Sequence, residues 1–397
     1  MKNYYVLSNG RVKRENNTLT IENAAGEKKP VPIEDVESLY LYGEIDLNTR
    51  VLNFLSQKKI TLHVFNYYGF YSGSFYPREY LHSGYLLTHQ VRHFSDPALR
   101  LKIVRELVAA SAHSMLRNLL YYKNRKAGAA GNAEEREPVG EIVPEDIRSN
   151  AAPADAELEA SVDAAQEIVS DGMEETESDP FVSEIDFFED GEELAPLEAA
   201  CRTITGLAAL LKDYDQINQL RGLEGKMRVT YYRAWRHIIN EDWAFDRRVR
   251  RPPDNEVNAL ISFGNGVCYT ACLGELYRTQ LTPTISYLHE PGARRFSLSL
   301  DMSEIFKPLL VDRAIFRLIN TGQLKPAHFD RSLDGCYLTD AGKKLFLGAL
   351  EERMNATIKH RRLGRHVSYR HLIRLECYKL IRHLTGVEEY RAFRAWW

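Results

Sequence analysis

The spacing of apolar residues changes near Tyr85 from alternation to a period of about 3.6, and this change limits the folds open to the chain. Upstream of it, short segments alternate apolar and polar side chains, as strands with one buried face do. Asn9-Gly10 predicts a hairpin turn, because both residue types accept a positive φ at little cost. Residues 1–83 are therefore predicted to form a small all-β domain with one helix at 48–58. Strands are predicted at 4–7, 11–14, 18–22, 31–33, 38–42, 61–65 and 70–75.

Downstream of Tyr85 the pattern is helical. Asp96 followed by Pro97 is typical of a helix start, and an apolar stripe continues from it to about Asn124. Residues 84–125 are thus predicted to form the first helices of an α domain, which continues at 197–397. The predicted fold class is α+β, with an N-terminal β domain followed by a larger, almost wholly α domain. Its later helices are predicted at 197–220, 224–239, 254–279, 302–321, 339–356 and 367–384.

An acidic segment, residues 126–196, interrupts the predicted α domain. Residues 126–198 contain 23 Asp and Glu against three Lys and Arg, so the other 49 basic and 32 acidic residues leave the rest of the chain at +17. The segment has few large apolar side chains to offset the entropy of ordering, and we predict a disordered insertion. It is either a tolerated surface loop or a segment that folds over the +17 body and competes with a polyanion such as DNA, since such a body attracts polyanions.

Three acidic residues and one histidine suggest a site for a hard divalent cation. His289 lies on a short segment, Asp301 and Glu304 follow it, and Glu224 lies far upstream. Mg²⁺ and Mn²⁺ favour oxygen ligands, and Mn²⁺ tolerates a nitrogen among them. Other interpretations stay open at this point. Asp301 and Glu304 have the spacing of a capping arrangement at a helix start, His289 could lie in a turn, and Glu224 between two glycines could be a solvated loop acid.

Basic residues cluster in the predicted α domain. The run from Lys359 to Arg374 contains six Lys or Arg and three His without an acid. Solvated helix faces usually mix the two signs of charge, so this composition favours contact with phosphates over a solvated face. A second cluster precedes Pro252, and further basic residues flank the candidate metal site. The predicted DNA-binding residues are Arg247, Arg248, Arg294, Arg295, Lys307, Arg361 and Arg362.

Cysteine usage and hydropathy indicate the compartment. The five cysteines are scattered, without the spacing of a disulfide framework or a zinc site. The chain opens without a charged-then-apolar leader, and it contains no run of about 18 apolar residues. We therefore expect a soluble cytoplasmic protein that does not associate with a membrane.

Eight blocks of sequence, in order along the chain, carry the most specific signal of function. They include the opening run KNYYVLSNGRVKRENNTLTIE, the blocks RGLEG, RRPPDNEVNALISFG, YLHEPG and LDMSEIFKP, and the closing run YRHLIRLECYKLIRHLTGVEEYRAFRAWW. Together they resemble the CRISPR-associated Cas-one integrase family over about 1–125 and 197–397. The resemblance implies a β-sandwich-like N-terminal domain, with a role in dimerisation, joined to an α-helical catalytic domain. Asn258 and Ser262 fall in one of these blocks and receive no predicted role.

The resemblance also implies the site and its chemistry. The family's metal ligands fall on Glu224, His289 and Glu304, and Asp301 matches a neighbouring catalytic acid. Many relatives have Asp at the position of Glu304, so the carboxylate here extends by one methylene. The implied reaction is Mg²⁺- or Mn²⁺-dependent transesterification, in which a DNA 3′-hydroxyl attacks a phosphate at a repeat boundary. Asp301 is expected either to orient the ligands or to join a second metal.

Family resemblance further implies the partners. These are double-stranded DNA, as prespacer and CRISPR repeat, a second copy of the chain in a homodimer, and a dimer of the small Cas-two protein. The acidic insertion departs from the short connection usual in the family, and a docking strip for a Cas-four nuclease is a third interpretation of it. Two rival functions remain at this point, a catalytically silent DNA-binding scaffold and a stand-alone branched-DNA nuclease.

Overall fold

The computed structural model describes residues 2–77, 81–129, 195–250, 252–290, 296–331, 335–360 and 362–395. Most of the acidic segment predicted at 126–196, and the disorder predicted for it, therefore lies outside the described residues. The N-terminal part consists of strands and one helix. The strands are β1 (Lys2–Val6), β2 (Gly10–Glu15), β3 (Thr18–Asn23), β4 (Lys28–Pro32), β5 (Val36–Leu41), β6 (Ile45–Asp46), β7 (Thr61–Phe65) and β8 (Tyr71–Phe75), and the helix is α1 (Thr49–Gln57).

These strands form two four-stranded sheets that share one apolar core. The first sheet has the order β1-β5-β7-β8, in which only β8 runs antiparallel, and the second has the order β4-β3-β2-β6. Leu39 and Leu62 from the first sheet and Val12 and Leu19 from the second are buried in the same cluster, which α1 closes with Phe54. Alternation directs one face of each strand into this core. The predicted β-sandwich-like N-terminal fold is confirmed.

The first sheet is buried on its second face as well, against the helical part. Tyr40 and Phe65 alternate with the residues that face the sandwich core, and they belong to the large cluster formed by the helices. Just beyond β5, the Tyr42 ring stacks on Phe65 with centroids 4.2 Å apart and tilts against Phe263 at 5.5 Å. Aromatic side chains suit this position, because each buries a large apolar area between two layers.

Largely shielded ion pairs add a polar connection between the sheet and the helices. Glu37 at the start of β5 accepts from Arg278 at 3.1 Å and from Arg370 at 3.0 Å. The Arg370 guanidinium also contacts Glu351 at 2.5 Å, and the Tyr5 hydroxyl donates to Glu351 at 2.9 Å. A buried charge is tolerated only with such partners, so this network fixes how the two layers meet.

The remaining described residues are mostly helical. The long helix α6 has apolar residues on all sides and is buried along almost its whole length, which makes it the centre of the helical part. Among the described helices, none is long and apolar enough to cross a membrane. The helices are α2 (Gly84–Ser95), α3 (Pro97–Ala129), α4 (Pro196–Ala209), α5 (Ile217–Ala234), α6 (Glu256–Tyr277), α7 (Ser297–Lys307), α8 (Arg313–Asn320), α9 (Asp340–Asn355) and α10 (Tyr369–Leu384).

The structure corrects the boundary predicted between helices 197–220 and 224–239. The break lies earlier, between α4 and α5, and the RGLEG motif falls inside α5. Gly222 and Gly225 lower the helix propensity there. No neighbouring atom lies within 4 Å of where a Cβ would be at either position, so close packing does not require these glycines. Leu220, Leu223 and Met227 pack into the core and hold the helix together. Tertiary packing thus overrides the local signal of two glycines.

Two further differences concern the second half of the chain. The helix predicted at 302–321 begins at Ser297 and passes through a π-helical turn, Pro308–Asp312, into α8. Short strands, which were not predicted, also pair in the segments between the later helices. These are β9 (Phe329–Asp330) with β10 (Tyr337–Leu338), and β11 (Thr357–Lys359) with β12 (His366–Ser368).

Candidate active site

Helix α5 presents Glu224 and Arg228 on one face, a single turn apart. Nε of Arg228 donates to Oε1 of Glu224 at 2.7 Å, and the two side chains are only 18% and 12% exposed. Glu224 is therefore a largely shielded helical residue, and the interpretation of a solvated loop acid is wrong.

Helix α7 supplies a second carboxylate to the same place. Glu304 and Lys307 lie one turn apart on α7, and the Lys307 ammonium donates to Oε1 of Glu304 at 2.6 Å. The other oxygen of Glu304, Oε2, accepts from Nη2 of Arg228, which also contacts Glu224. Two acids from separate helices therefore converge on one guanidinium. Ser111 of α3 accepts a longer hydrogen bond from the same nitrogen, at 3.3 Å.

Asp301, one turn before Glu304, faces the loop that carries His289. The carboxylate is fully buried and accepts four hydrogen bonds from this loop. Three come from the backbone N–H groups of Tyr287, Leu288 and His289, at 2.6, 3.0 and 3.1 Å. The fourth links Asp301 Oδ1 to Nδ1 of the His289 ring at 2.7 Å. Asp301 thus sets both the loop backbone and the orientation of the imidazole.

These contacts decide between the open interpretations of the acids. Asp301 is the fifth residue of α7, so it does not cap the start of that helix, and its oxygens are taken by the loop. The capping interpretation of Asp301 and Glu304 is therefore wrong. A buried carboxylate holds His289 through Nδ1, so Nε2 is the ring nitrogen that could hold a metal. A carboxylate that orients a histidine in this way is a recurring feature of metal sites.

The field of the neighbouring cations dominates the electrostatics of Glu304. Burial by itself raises the pKa of this carboxyl, but the charges of Arg228, Lys307 and His289 outweigh it and hold the pKa well below its ordinary value of 4.5. Burial also lowers the pKa of Arg228, and Glu224 and Glu304 more than reverse that effect. The Glu304 carboxyl is thus maintained as the anion that a metal requires.

A third buried acid, Asp312, lies at the end of the π-helical turn. Burial raises the pKa of Asp312 to about 7, although the Tyr231 hydroxyl and the charges of Arg228 and Lys307 act in the opposite direction. The Tyr231 hydroxyl donates to Asp312 at 3.0 Å, and Asn118 donates to Tyr231 at 2.8 Å. π-Helical turns are frequent at functional sites, and this one joins α7 to the buried network.

The donor set fits a hard divalent cation. Glu224 and Glu304 direct carboxylate oxygens at one positively charged nitrogen, which acts as a stand-in ion, and Asp301 orients the imidazole of His289 through Nδ1. Oxygen ligands with one imidazole suit Mg²⁺ and Mn²⁺. In the conformation of the described residues, no three His, Cys, Asp or Glu side chains are close enough to hold a metal, and Arg228 lies between the two glutamates.

Comparison with known proteins decides the family. The model of the family described as CRISPR associated protein Cas1 matches residues 4–143 and 154–352. The chain belongs to the Cas1 family. A relative named CRISPR-associated endonuclease Cas1 3, from Thermodesulfovibrio yellowstonii, is 40% identical over 397 residues, which cover 100% of both chains. The resemblance to the Cas-one family is thereby confirmed.

Solved structures share the fold of this Cas1 protein. A CAS1 protein from Thermotoga maritima has a TM-score of 0.73 and 33% sequence identity, and the match covers 99% of this chain and 100% of that one. A casposase bound to integration product has a TM-score of 0.72 at 17% identity, with 98% and 92% covered. The second similarity concerns the fold alone.

The predicted DNA-binding residues of this Cas1 chain differ in what they contact. Arg247 is exposed, but Arg248 is anchored by Oδ1 of Asn258 at 2.9 Å and by Oγ of Ser262 at 2.8 Å. Lys307 is largely buried on Glu304. Arg362 is exposed and pairs with Glu388. The predicted residues Arg294, Arg295 and Arg361 lie outside the described residues.

Part of the basic run from Lys359 to Arg374 faces the interior. Arg370 pairs with Glu37 and Glu351, and Arg374 donates to buried Glu275 at 2.6 Å. Acids of the sheet and of other helices therefore compensate the charge of these two arginines, which connect those elements. The composition of the run could not predict these ion pairs, because the acids that neutralise its arginines come from distant parts of the chain.

Several side chains at the candidate site carry no sequence prediction. Arg228 contacts both glutamates, the Tyr231 hydroxyl donates to Asp312, and Asn258 with Ser262 holds Arg248. The four-residue spacing of Glu224 and Arg228 is a signal for one of these contacts, since such pairs face each other on a helix. Asp312 has no comparable local signal.

Proposed function

We propose that this Cas1 protein is a metal-dependent DNA integrase and endonuclease, which inserts prespacer DNA into a CRISPR array through attack by a 3′-hydroxyl. The observation that carries this proposal is the convergence of Glu224 and Glu304, from two separate helices, on one cationic group. His289, fixed by Asp301, adds an imidazole to them. The name of the 40% identical relative, an endonuclease, supports phosphodiester chemistry.

Each side chain has a separate task in the proposed reaction. Glu224, Glu304 and Nε2 of His289 would hold a Mg²⁺ or Mn²⁺ ion, which stabilises charge on the scissile phosphate and acidifies the attacking hydroxyl when bound. Asp301 positions His289 and its loop by four hydrogen bonds. Lys307 compensates the charge of one oxygen of Glu304. With water as the nucleophile, the same site acts as a nuclease.

The proposed partners follow from charge and from the family. Residues outside 126–198 carry +17, which favours binding of double-stranded prespacer and repeat DNA. Exposed Arg247 and Arg362 are the described candidates for phosphate contacts. Assembly as a homodimer on a dimer of Cas-two is proposed on the family resemblance. A Cas-four nuclease that binds the acidic segment remains part of this proposal.

A half-site integration assay tests the function. Purified chain, Cas-two and Mn²⁺ should join a prespacer 3′ end to a repeat boundary, and Glu224→Ala or His289→Ala should abolish the product. DNA binding should stay within a few-fold of wild type, because these residues hold charge at the scissile phosphate and not along the duplex. Glu352→Ala serves as the matched control, since Glu352 forms an exposed ion pair with Arg317.

Normal integration by either alanine variant in the presence of Mn²⁺ would contradict the metal assignment. A catalytically silent scaffold would bind DNA but show no saturable effect of Mn²⁺ on stability or nicking. A stand-alone branched-DNA nuclease would nick its substrate without Cas-two and would never join strands. The joined product therefore separates the three functions.

A further inference from the structure

The arginine between the two glutamates has a position that neither the reaction nor the family resemblance explains. Nη2 of Arg228 contacts Oε1 of Glu224 at 2.5 Å and also contacts Oε2 of Glu304. Its side chain is 12% exposed, and those of Glu224 and Glu304 are 18% and 9% exposed. Two largely shielded carboxylates thus share one positive group.

We propose that Arg228 is a positioning residue that holds the two carboxylates together before a metal binds and that the metal displaces it. This inference rests on the proposed function, because it concerns the ion that Glu224 and Glu304 would hold. In the metal-free protein, Arg228 would supply the positive charge between the two glutamates that the ion supplies when it is bound.

Distances support this exchange. Because one nitrogen contacts both carboxylates, the two oxygens lie within about 5 Å of each other, twice a short N–O contact. An ion such as Mg²⁺ holds oxygens at about 2.1 Å, so it would need the same two within about 4.2 Å. A small inward movement suffices once the guanidinium leaves. The ion and the Arg228 nitrogen cannot occupy this space together.

Charge explains why the metal-free protein needs such a substitute. Without a cation, two poorly solvated carboxylates at this separation repel each other, and neither has enough water to compensate its charge. Lys307 does not fulfil this role, because among the described contacts it donates to Oε1 of Glu304 and not to Glu224, whereas Arg228 contacts Oε2 of Glu304. Lys307 can therefore remain in place when Arg228 is exchanged for an ion.

Thermal unfolding of the full chain, with EDTA or with saturating Mn²⁺, tests the exchange. Arg228→Met should melt below wild type in EDTA, and the difference should shrink in Mn²⁺. Arg370→Met is the matched control, because Arg370 also bridges two carboxylates, Glu37 and Glu351, at a side-chain exposure of 10%. The control should melt lower by the same amount in both conditions, since no ion replaces Arg370.

Direct titration with Mn²⁺ gives a second readout that is independent of activity. Removal of a competing internal cation should tighten binding of Mn²⁺ by about tenfold in Arg228→Met, which corresponds to about 1.4 kcal/mol. Arg228→Gln provides the same measurement if the methionine variant does not fold, because its side-chain amide can donate hydrogen bonds to the glutamates but carries no positive charge. It should also bind Mn²⁺ more tightly than wild type.

The possible failures are distinguishable. Equal loss of melting temperature in EDTA and in Mn²⁺, or unchanged or weaker binding of Mn²⁺ by both variants, would overturn the role of Arg228 and leave the metal site intact. Absence of any Mn²⁺ effect on wild type would overturn the proposed metal site and this inference with it.

Discussion

Asp301 is the residue whose substitution tests the site most directly. Its carboxylate is fully buried and accepts hydrogen bonds from three backbone N–H groups and from Nδ1 of His289. Asp301→Asn keeps the shape of the side chain but replaces one acceptor oxygen by an NH₂ group. That NH₂ group faces two N–H donors and cannot accept hydrogen bonds from them, so two of the four hydrogen bonds are lost.

The expected loss of stability follows from this count. A buried donor without a partner costs about 1–3 kcal/mol, and the two remaining bonds lose the contribution of the negative charge. The sum is about 3–6 kcal/mol, against a total stability of about 5–15 kcal/mol for typical domains. We expect a fall in the melting temperature on the order of 10 °C. Integration should also be lost, because the imidazole of His289 is no longer oriented.

Thermal unfolding and the half-site assay measure the two effects together. Asp46→Asn is the control, since Asp46 is 75% exposed and pairs only with Arg11 among the described contacts. It should change stability by no more than about 0.5 kcal/mol. Melting of Asp301→Asn within about 2 °C of wild type, with integration retained, would refute the view that this carboxylate holds the loop.

Further predictions concern pH, DNA and the acidic segment. The pKa of Asp312 rises on folding from 3.8 to about 7, so its contribution to stability is fully present below pH 3.8 and is lost as the pH rises through 7. Asp312→Asn should therefore gain stability relative to wild type between pH 4 and pH 7, by up to about 1.4 kcal/mol per pH unit. Urea unfolding at each pH measures this difference, and a free energy of unfolding that changes with pH equally in both proteins would contradict it. Neutralising Arg361 and Arg362 should weaken DNA binding uniformly across sequences and flatten its salt dependence; an unchanged slope would identify a solvated surface. Deleting residues 130–192 should tighten non-specific DNA binding at low salt, and equal affinities would remove the competition hypothesis.

The sequence predicted most of the fold because the relevant signals are local. Alternation upstream of Tyr85 and helical periodicity downstream depend on which residues lie within a few positions of one another. The confirmed α+β class and the near agreement of α6, α9 and α10 with their predicted bounds follow from such patterns. The helix break predicted near Gly222 was wrong, because packing by Leu223 and Met227 outweighs the weak propensity of two glycines.

The candidate site could be predicted only in part. The family motifs predicted Glu224, His289, Asp301 and Glu304 as site residues, but they did not predict which of these side chains contact one another. The structure supplies those contacts. It connects Asp301 with His289, and it connects the two glutamates through Arg228.

The sequence by itself determined the two structural classes, the charge of each part and the residue types available for chemistry. Only the tertiary structure decided which charges meet. It paired Arg370 with Glu37 in the interior and left Arg362 exposed, although both belong to one basic run. The physical reason is that periodicity arises from neighbours along the chain, whereas compensation of a buried charge depends on groups brought together by folding.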